Sequence, residues 1–199
     1  MDDISSEAPH TCLVKLVGDD EMPTAFKRSA DHAAVRTGIV VNNVRAMANA
    51  PELGATMRQF LDDVWDQRDL PKQTKALIRH KVSNINAFLY CSAHQVRVMQ
   101  NQGVALEKID NMHDFRNYPA FSEKERAILA YVESLTTDGA NIPAEVITPF
   151  AELLTDQERL EVTIVASAMG LLNKLNDGLR VPLEEPMQEI ARTISFDTK

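Results

Sequence analysis

Thr155-Asp156-Gln157-Glu158-Arg159-Leu160-Glu161-Val162-Thr163-Ile164-Val165-Ala166-Ser167-Ala168-Met169-Gly170-Leu171-Leu172 is the stretch that decides the fold. Thr155 with Glu158 three residues on is a capping box, in which each residue satisfies a backbone N–H at a helix start. The residues that follow are apolar on several sides. A helix of that kind is buried in a bundle core or an oligomer interface. Gly178 and Pro182 end it, which makes a long helix from Asp156 the expected centre of the molecule.

Helix signals continue outward in both directions. Ser122-Glu123-Lys124-Glu125 is a second capping box, and Pro143 begins a helix running to about Leu153. Pro186 begins a short one to about Ile194. Upstream, Pro23 opens a helix to about Arg36, and another covers about Val40 to Ala48. Pro51 opens a third, with Leu53, Met57, Phe60, Leu61, Val64 and Trp65 at helical spacing. Pro71 opens a fourth whose apolar stripe is Leu77, Ile78, Val82 and Ile85. Asn84-Ile85-Asn86 reads as a break, with Asn86 as N-cap of a fifth helix that stops at Gly103. A short helix around Leu106 to Met112 follows. The expected fold class is all-α, with a polar arm over residues 1–22 and a single helical domain over residues 23–199. Within the arm, Cys12 to Val17 is read as a short strand or an extended segment packed on the body.

Composition agrees and narrows function. Of 199 residues, 44% are hydrophobic, 25% charged and only 6% aromatic, a globular mix better suited to helices than to sheets. The net charge of −8 and the lack of a Lys/Arg cluster argue against nucleic acid. No export signal or membrane span is read from the sequence, since Val162 to Leu172 is too short to cross a bilayer. Two cysteines far apart in sequence suggest a reduced, cytoplasmic protein. No cysteine–histidine set has zinc spacing, and no phosphate loop or serine nucleophile elbow is present, so neither metal nor cofactor is expected. His10, His32 and His113 read as isolated surface or packing residues.

The chemistry-bearing stretch is Asn86-Ala87-Phe88-Leu89-Tyr90-Cys91-Ser92-Ala93-His94. It sets a thiol and an imidazole three residues apart in a first helical turn, where they are surface neighbours. The helix dipole and an imidazolium would both lower the cysteine pKa below the free-thiol value of about 8.5. Burial beside Phe88 and Leu89 would act in the opposite direction. Cys91 and His94 are the candidate catalytic residues.

Three segments, in order, carry a resemblance. They are Asn43 to Leu53, Leu70 to His94, and Leu171-Leu172-Asn173-Lys174-Leu175-Asn176-Asp177-Gly178-Leu179-Arg180-Val181-Pro182-Leu183-Glu184. Together they resemble the carboxymuconolactone decarboxylase and alkylhydroperoxidase D-like superfamily, especially its longer peroxidase-related members. The resemblance implies an alkylhydroperoxidase D-like helical bundle and a homo-oligomer, a trimer or hexamer. It also implies a C-x-x-C pair, a following histidine, and a proton-relay glutamate on the preceding helix. Cys91 takes the second cysteine position and His94 the histidine. Phe88 stands at the first cysteine, and the glutamate falls on Ala76, with His80 and Asn84 one and two turns further along. A single thiol can become a sulfenic acid but needs a second thiol to turn over, from a small molecule, a partner protein or Cys12. The expected function is therefore a single-cysteine, peroxidase-related thiol oxidoreductase acting on a peroxide or other small molecule with a thiol reductant. The alternatives are a decarboxylase or lyase on a small carboxylated substrate, with Arg79, Arg97 or Arg180 as anchor, or a non-catalytic oligomer.

Overall fold

The computed structural model describes residues 12–66 and 68–196. Among these there are ten α-helices and no strand. They are α1 (Thr24–Thr37), α2 (Asn42–Met47), α3 (Pro51–Trp65), α4 (Lys72–Ile85) and α5 (Leu89–Asn101). After them come α6 (Leu106–Asp110), α7 (Glu123–Asp138), α8 (Ala144–Leu153), α9 (Asp156–Gly178) and α10 (Glu185–Ala191). Both capping boxes form, with Ser122 accepting from the N–H of Glu125 and Thr155 from that of Glu158. Gly103 adopts φ +74 just past α5, a left-handed stop that costs glycine little. His10 lies outside the described residues.

The arm from Cys12 to Val17 forms no strand. It runs over the body, with Leu13 N–H bonded to Leu179 O at 2.9 Å and Val17 N–H to Arg45 O at 3.3 Å. The α4–α5 break falls where the sequence placed it, but Asn86 is not the cap. Ala87 takes a left-handed φ of +57, and extended Phe88 is the N-cap.

The centre of the bundle is α4 rather than α9. Residues Lys75 to Asn84 are all buried, and the helix packs against α5, α7 and α9. By contrast α9 leaves Leu160, Ile164 and Leu171 exposed. The sequence disguises α4 because its buried polar groups find partners inside. Lys75 Nζ donates to Val64 O at 2.8 Å and reaches Glu161 Oε1 at 2.5 Å. Lys81 Nζ lies 2.9 Å from Glu133 Oε1, and Ser83 Oγ donates to Arg79 O. Such pairing makes a polar face compatible with burial.

Two apolar clusters flank α4. The larger gathers Phe26, Leu61, Trp65, Ile78, Val82, Ile128, Val165 and Met169. The smaller gathers Ala76, Leu77, Val98, Met99, Phe115, Phe121 and Leu129. No described helix is long and apolar enough to cross a membrane.

Candidate functional site

The site grows from the start of α5. Cys91 is the third residue of that helix, so its thiol sits in the turn where the helix dipole favours negative charge. It is also 2% exposed. Burial pushes the thiol up to about 11, against the pull of hydrogen bonds from Asn176 and Asn173. Asp177 nearby adds a raising charge. This overturns the expectation of a lowered pKa. The dipole is a weak local effect, whereas desolvation of a thiolate buried to this degree is large. Asn176 Nδ2 donates to Cys91 Sγ at 3.3 Å. Asn173 and Asn176 thus form a buried polar bracket on α9. Asn173 donates to Ser83 Oγ at 3.2 Å and accepts from Asn86 Nδ2 at 3.2 Å.

His94, one turn on, is buried and tethered at both nitrogens. Nδ1 is 2.7 Å from Tyr90 O, and Nε2 is 2.8 Å from Glu184 Oε2. Nε2 and Oε2 are at hydrogen-bonding distance, and the contact becomes an ion pair when the imidazole is protonated. Glu184, the N-cap residue of α10, accepts through Oε1 from Tyr90 Oη at 3.0 Å and from the N–H of Asn42. Tyr90 Oη in turn accepts from Asn43 N–H at 3.1 Å, and its ring lies 4.3 Å from that of His94. Burial works to raise the Glu184 carboxyl. The hydrogen bond and charge of His94, with the Asn42 N–H, outweigh it and hold the group below the ordinary carboxylate range. Burial and the Glu184 charge push the Tyr90 hydroxyl well up.

Cys91 and His94 share a wall of one small cavity, about 50 Å³, with Tyr90, Arg79, Trp65 and Met169. A second cavity of about 50 Å³ reaches Cys91 from the side of Phe88, Asn176 and Arg180. The structure therefore brings the two sequence-predicted residues together and adds Glu184 and Tyr90. Glu184 was within the C-terminal segment already singled out, but nothing local tied it to His94, ninety residues away. Ala76 is fully buried in the smaller apolar cluster and lines neither cavity. The carboxylate beside the histidine comes instead from the other end of the chain. His80 and Asn84 line a different, larger cavity with His113, about 290 Å³. Cys12 is a free thiol outside both Cys91 cavities. His32 lies 3.8 Å from Asp62. Among the described residues no three His, Cys, Asp or Glu side chains converge as a metal-binding set.

Residues 51–134 match the carboxymuconolactone decarboxylase family. No curated protein matches the sequence significantly. Among solved structures, a cysteine-to-alanine variant of the debrominase Bmp8 in complex with 2,3,4-tribromopyrrole is similar with a TM-score of 0.85. It is 19% identical, over 93% of this chain and 98% of that one. An uncharacterized peroxidase-related protein from Ralstonia eutropha JMP134, with an alkylhydroperoxidase AhpD core, has a TM-score of 0.75 at 15% identity, covering 91% and 96% of the two chains. A peroxidase-related protein from Silicibacter sp. TM1040 has a TM-score of 0.75 at 15% identity, covering 93% and 97%.

Proposed function

Since this chain belongs to the carboxymuconolactone decarboxylase and alkylhydroperoxidase D-like superfamily, we propose that it is a single-cysteine thiol oxidoreductase that reduces a small organic peroxide at Cys91. The observation that carries this reading is the shared cavity of Cys91 and His94, with His94 tethered to Glu184. Cys91 Sγ attacks the distal peroxide oxygen, the O–O bond breaks, and the electron pair leaves on the alkoxide. The thiol proton passes to the alkoxide, and the His94–Glu184 pair beside the cavity steadies the charge that develops. The products are an alcohol and a Cys91 sulfenic acid. An external thiol condenses with the sulfenic acid, releasing water. A second thiol then frees Cys91 and leaves as the disulfide of the two. Phe88 and Ala76 supply neither a resolving thiol nor a proton relay. The debrominase, similar along nearly its whole length, holds 2,3,4-tribromopyrrole, which supports a small organic molecule as substrate here.

A second reading is favoured by one observation. Burial keeps the Cys91 thiol protonated at neutral pH, whereas His94, Glu184 and Tyr90 form a proton-handling group that needs no thiolate. That arrangement suits decarboxylase-type acid–base chemistry on a small carboxylated substrate. Consumption of hydrogen peroxide and of an organic peroxide, measured with a panel of small thiols and repeated on Cys91→Ser, separates the two. Loss of turnover in Cys91→Ser supports the thiol reading, and unchanged turnover of any substrate found supports the acid–base one. A homo-oligomer is part of the proposal, supported by the exposed Phe60, Leu160 and Ile164 around a shallow apolar depression. Light scattering at micromolar concentration tests it, and a monomer contradicts it.

A further inference from the structure

Arg79 is a buried charge with no ion-pair partner among the described residues. It comes from α4, is 3% exposed, and lines the Cys91–His94 cavity. Its guanidinium stacks over Trp65, 4.6 Å from the ring centroid, and its Nε has no hydrogen-bond partner among the described residues. The carboxylates that could neutralise it are committed elsewhere. Asp62 accepts from Arg36 at 2.6 Å, Arg58 at 2.9 Å and Ser29 at 2.7 Å. Glu184 is held by His94, Tyr90 and Asn42. The cavity wall thus carries three guanidiniums, of Arg36, Arg58 and Arg79, and among the described residues Asp62, behind the wall, pairs with the first two. Burial and the Arg36 charge push Arg79 down to about 9, which leaves it charged at neutral pH.

An uncompensated buried guanidinium is strongly unfavourable, so its retention points to something that pairs with it. The same wall carries two acceptors with no hydrogen-bond partner among the described residues, Asn43 Oδ1 and Gln95 Oε1. Those ask for a donor, while Arg79 asks for an acceptor. A cavity of about 50 Å³ is several times the roughly 10–15 Å³ that one water needs, and holds a group of a few heavy atoms. The planar guanidinium fork matches a carboxylate with two parallel hydrogen bonds.

We infer that this cavity is an oxyanion site in which Arg79 binds the carboxylate of a small organic acid, with Asn43 and Gln95 accepting from an O–H of the same molecule. That the acid is the substrate rests on the reading that Cys91 and His94 are the reacting groups. That it binds does not.

The test titrates the full chain with sodium acetate and sodium hydroxyacetate, with chloride holding ionic strength constant and acetamide as the neutral control. Melting temperature reports binding, because a ligand for the native state stabilises in proportion to RT ln(1 + [L]/Kd). Both carboxylates should raise the melting temperature saturably, hydroxyacetate at lower concentration. Acetamide should not. Arg79→Met should abolish the effect. Arg79→Lys keeps the charge but loses the fork, and should weaken binding by about tenfold or more. Equal melting temperatures in carboxylate and chloride overturn the site, as does equal stabilisation by acetate and acetamide, or full binding by Arg79→Lys. Cys91→Ser separates the two proposals. If it binds carboxylate yet keeps full turnover, the thiol reading fails alone. If it loses turnover while the wild-type chain binds no carboxylate, the oxyanion site fails alone.

Discussion

Glu184→Gln is the substitution whose outcome the geometry fixes most tightly. The Glu184 side chain is 10% exposed and that of His94 7% exposed, so solvent screens their attraction little. Three contacts end on this carboxylate: His94 Nε2 at 2.8 Å, Tyr90 Oη at 3.0 Å and the Asn42 N–H. Glutamine keeps the shape and one oxygen for the two neutral donors. It removes the negative charge that holds His94. A hydrogen bond to a charged group contributes about 1.5–3 kcal/mol, so Glu184→Gln should destabilise by that amount. Glu184→Ala strands all three partners and should cost about 3–5 kcal/mol. At roughly 2–4 °C per kcal/mol for a chain of this size, Glu184→Gln lowers the melting temperature by about 3–12 °C. A double-mutant cycle by urea denaturation with His94→Gln isolates the pair. The pH dependence carries a sign as well. The Glu184 carboxyl is held below the ordinary carboxylate range. Its contribution is therefore present above the unfolded pKa and is lost as pH falls through the lower folded value. Glu184→Gln should be flatter than wild type in that acid window. A coupling energy below about 0.5 kcal/mol, within the scatter of independent sites, would refute the reasoning.

Four further outcomes follow from burial and close packing. With Cys12→Ser to isolate Cys91, alkylation should accelerate about tenfold per pH unit above neutrality, with no plateau until about 11; a plateau near the free-thiol value contradicts the buried thiol. The raised thiol also means that stability falls as pH climbs from about 9 to about 11, because only the unfolded chain is then ionised. Ala76→Glu should destabilise by several kcal/mol, about the cost of an unpaired carboxylate, and should restore no proton relay, since Ala76 packs among Leu77, Val98 and Phe121; denaturation and peroxide assays read the two effects. Gly54→Ala would place its Cβ 2.3 Å from Met47 O and 2.8 Å from Phe26 Cζ, so it should cost about 1–3 kcal/mol or more in urea unfolding.

Much of the fold was legible because its signals are local. The boxes at Ser122 and Thr155, the prolines at 23, 51, 71, 143 and 186, and Gly103 each act within a few residues of themselves. They located helix starts and stops to within a few positions. What was not legible is what depends on distant packing. The burial of α4 was hidden because Lys75 and Lys81 look like solvent-facing residues until Glu161 and Glu133 are brought beside them. The Asn86 cap failed because the chain needs the left-handed Ala87 to turn α5 back along α4.

The site divides the same way. Cys91 and His94 could be paired by their spacing on one helix, and the structure sets them around one cavity. Glu184 could not be paired with His94, because α10 folds back across the bundle to deliver it. Arg79 was a candidate anchor without a place, and packing put it on the cavity wall. The thiol pKa was misjudged for a physical reason: sequence shows the helix terminus, and only packing shows the loss of solvent.

The most direct test of the account is to identify the sulfur that peroxide oxidises. The full chain is treated with stoichiometric organic peroxide in the presence of a sulfenic-acid trap, without thiol, and mapped by mass spectrometry. The account predicts one trapped adduct, on Cys91, that disappears in Cys91→Ser together with thiol-dependent peroxide consumption. It also predicts less adduct when His94 is replaced by Gln. Peroxide consumption that continues undiminished in Cys91→Ser, or an adduct confined to Cys12, would contradict it.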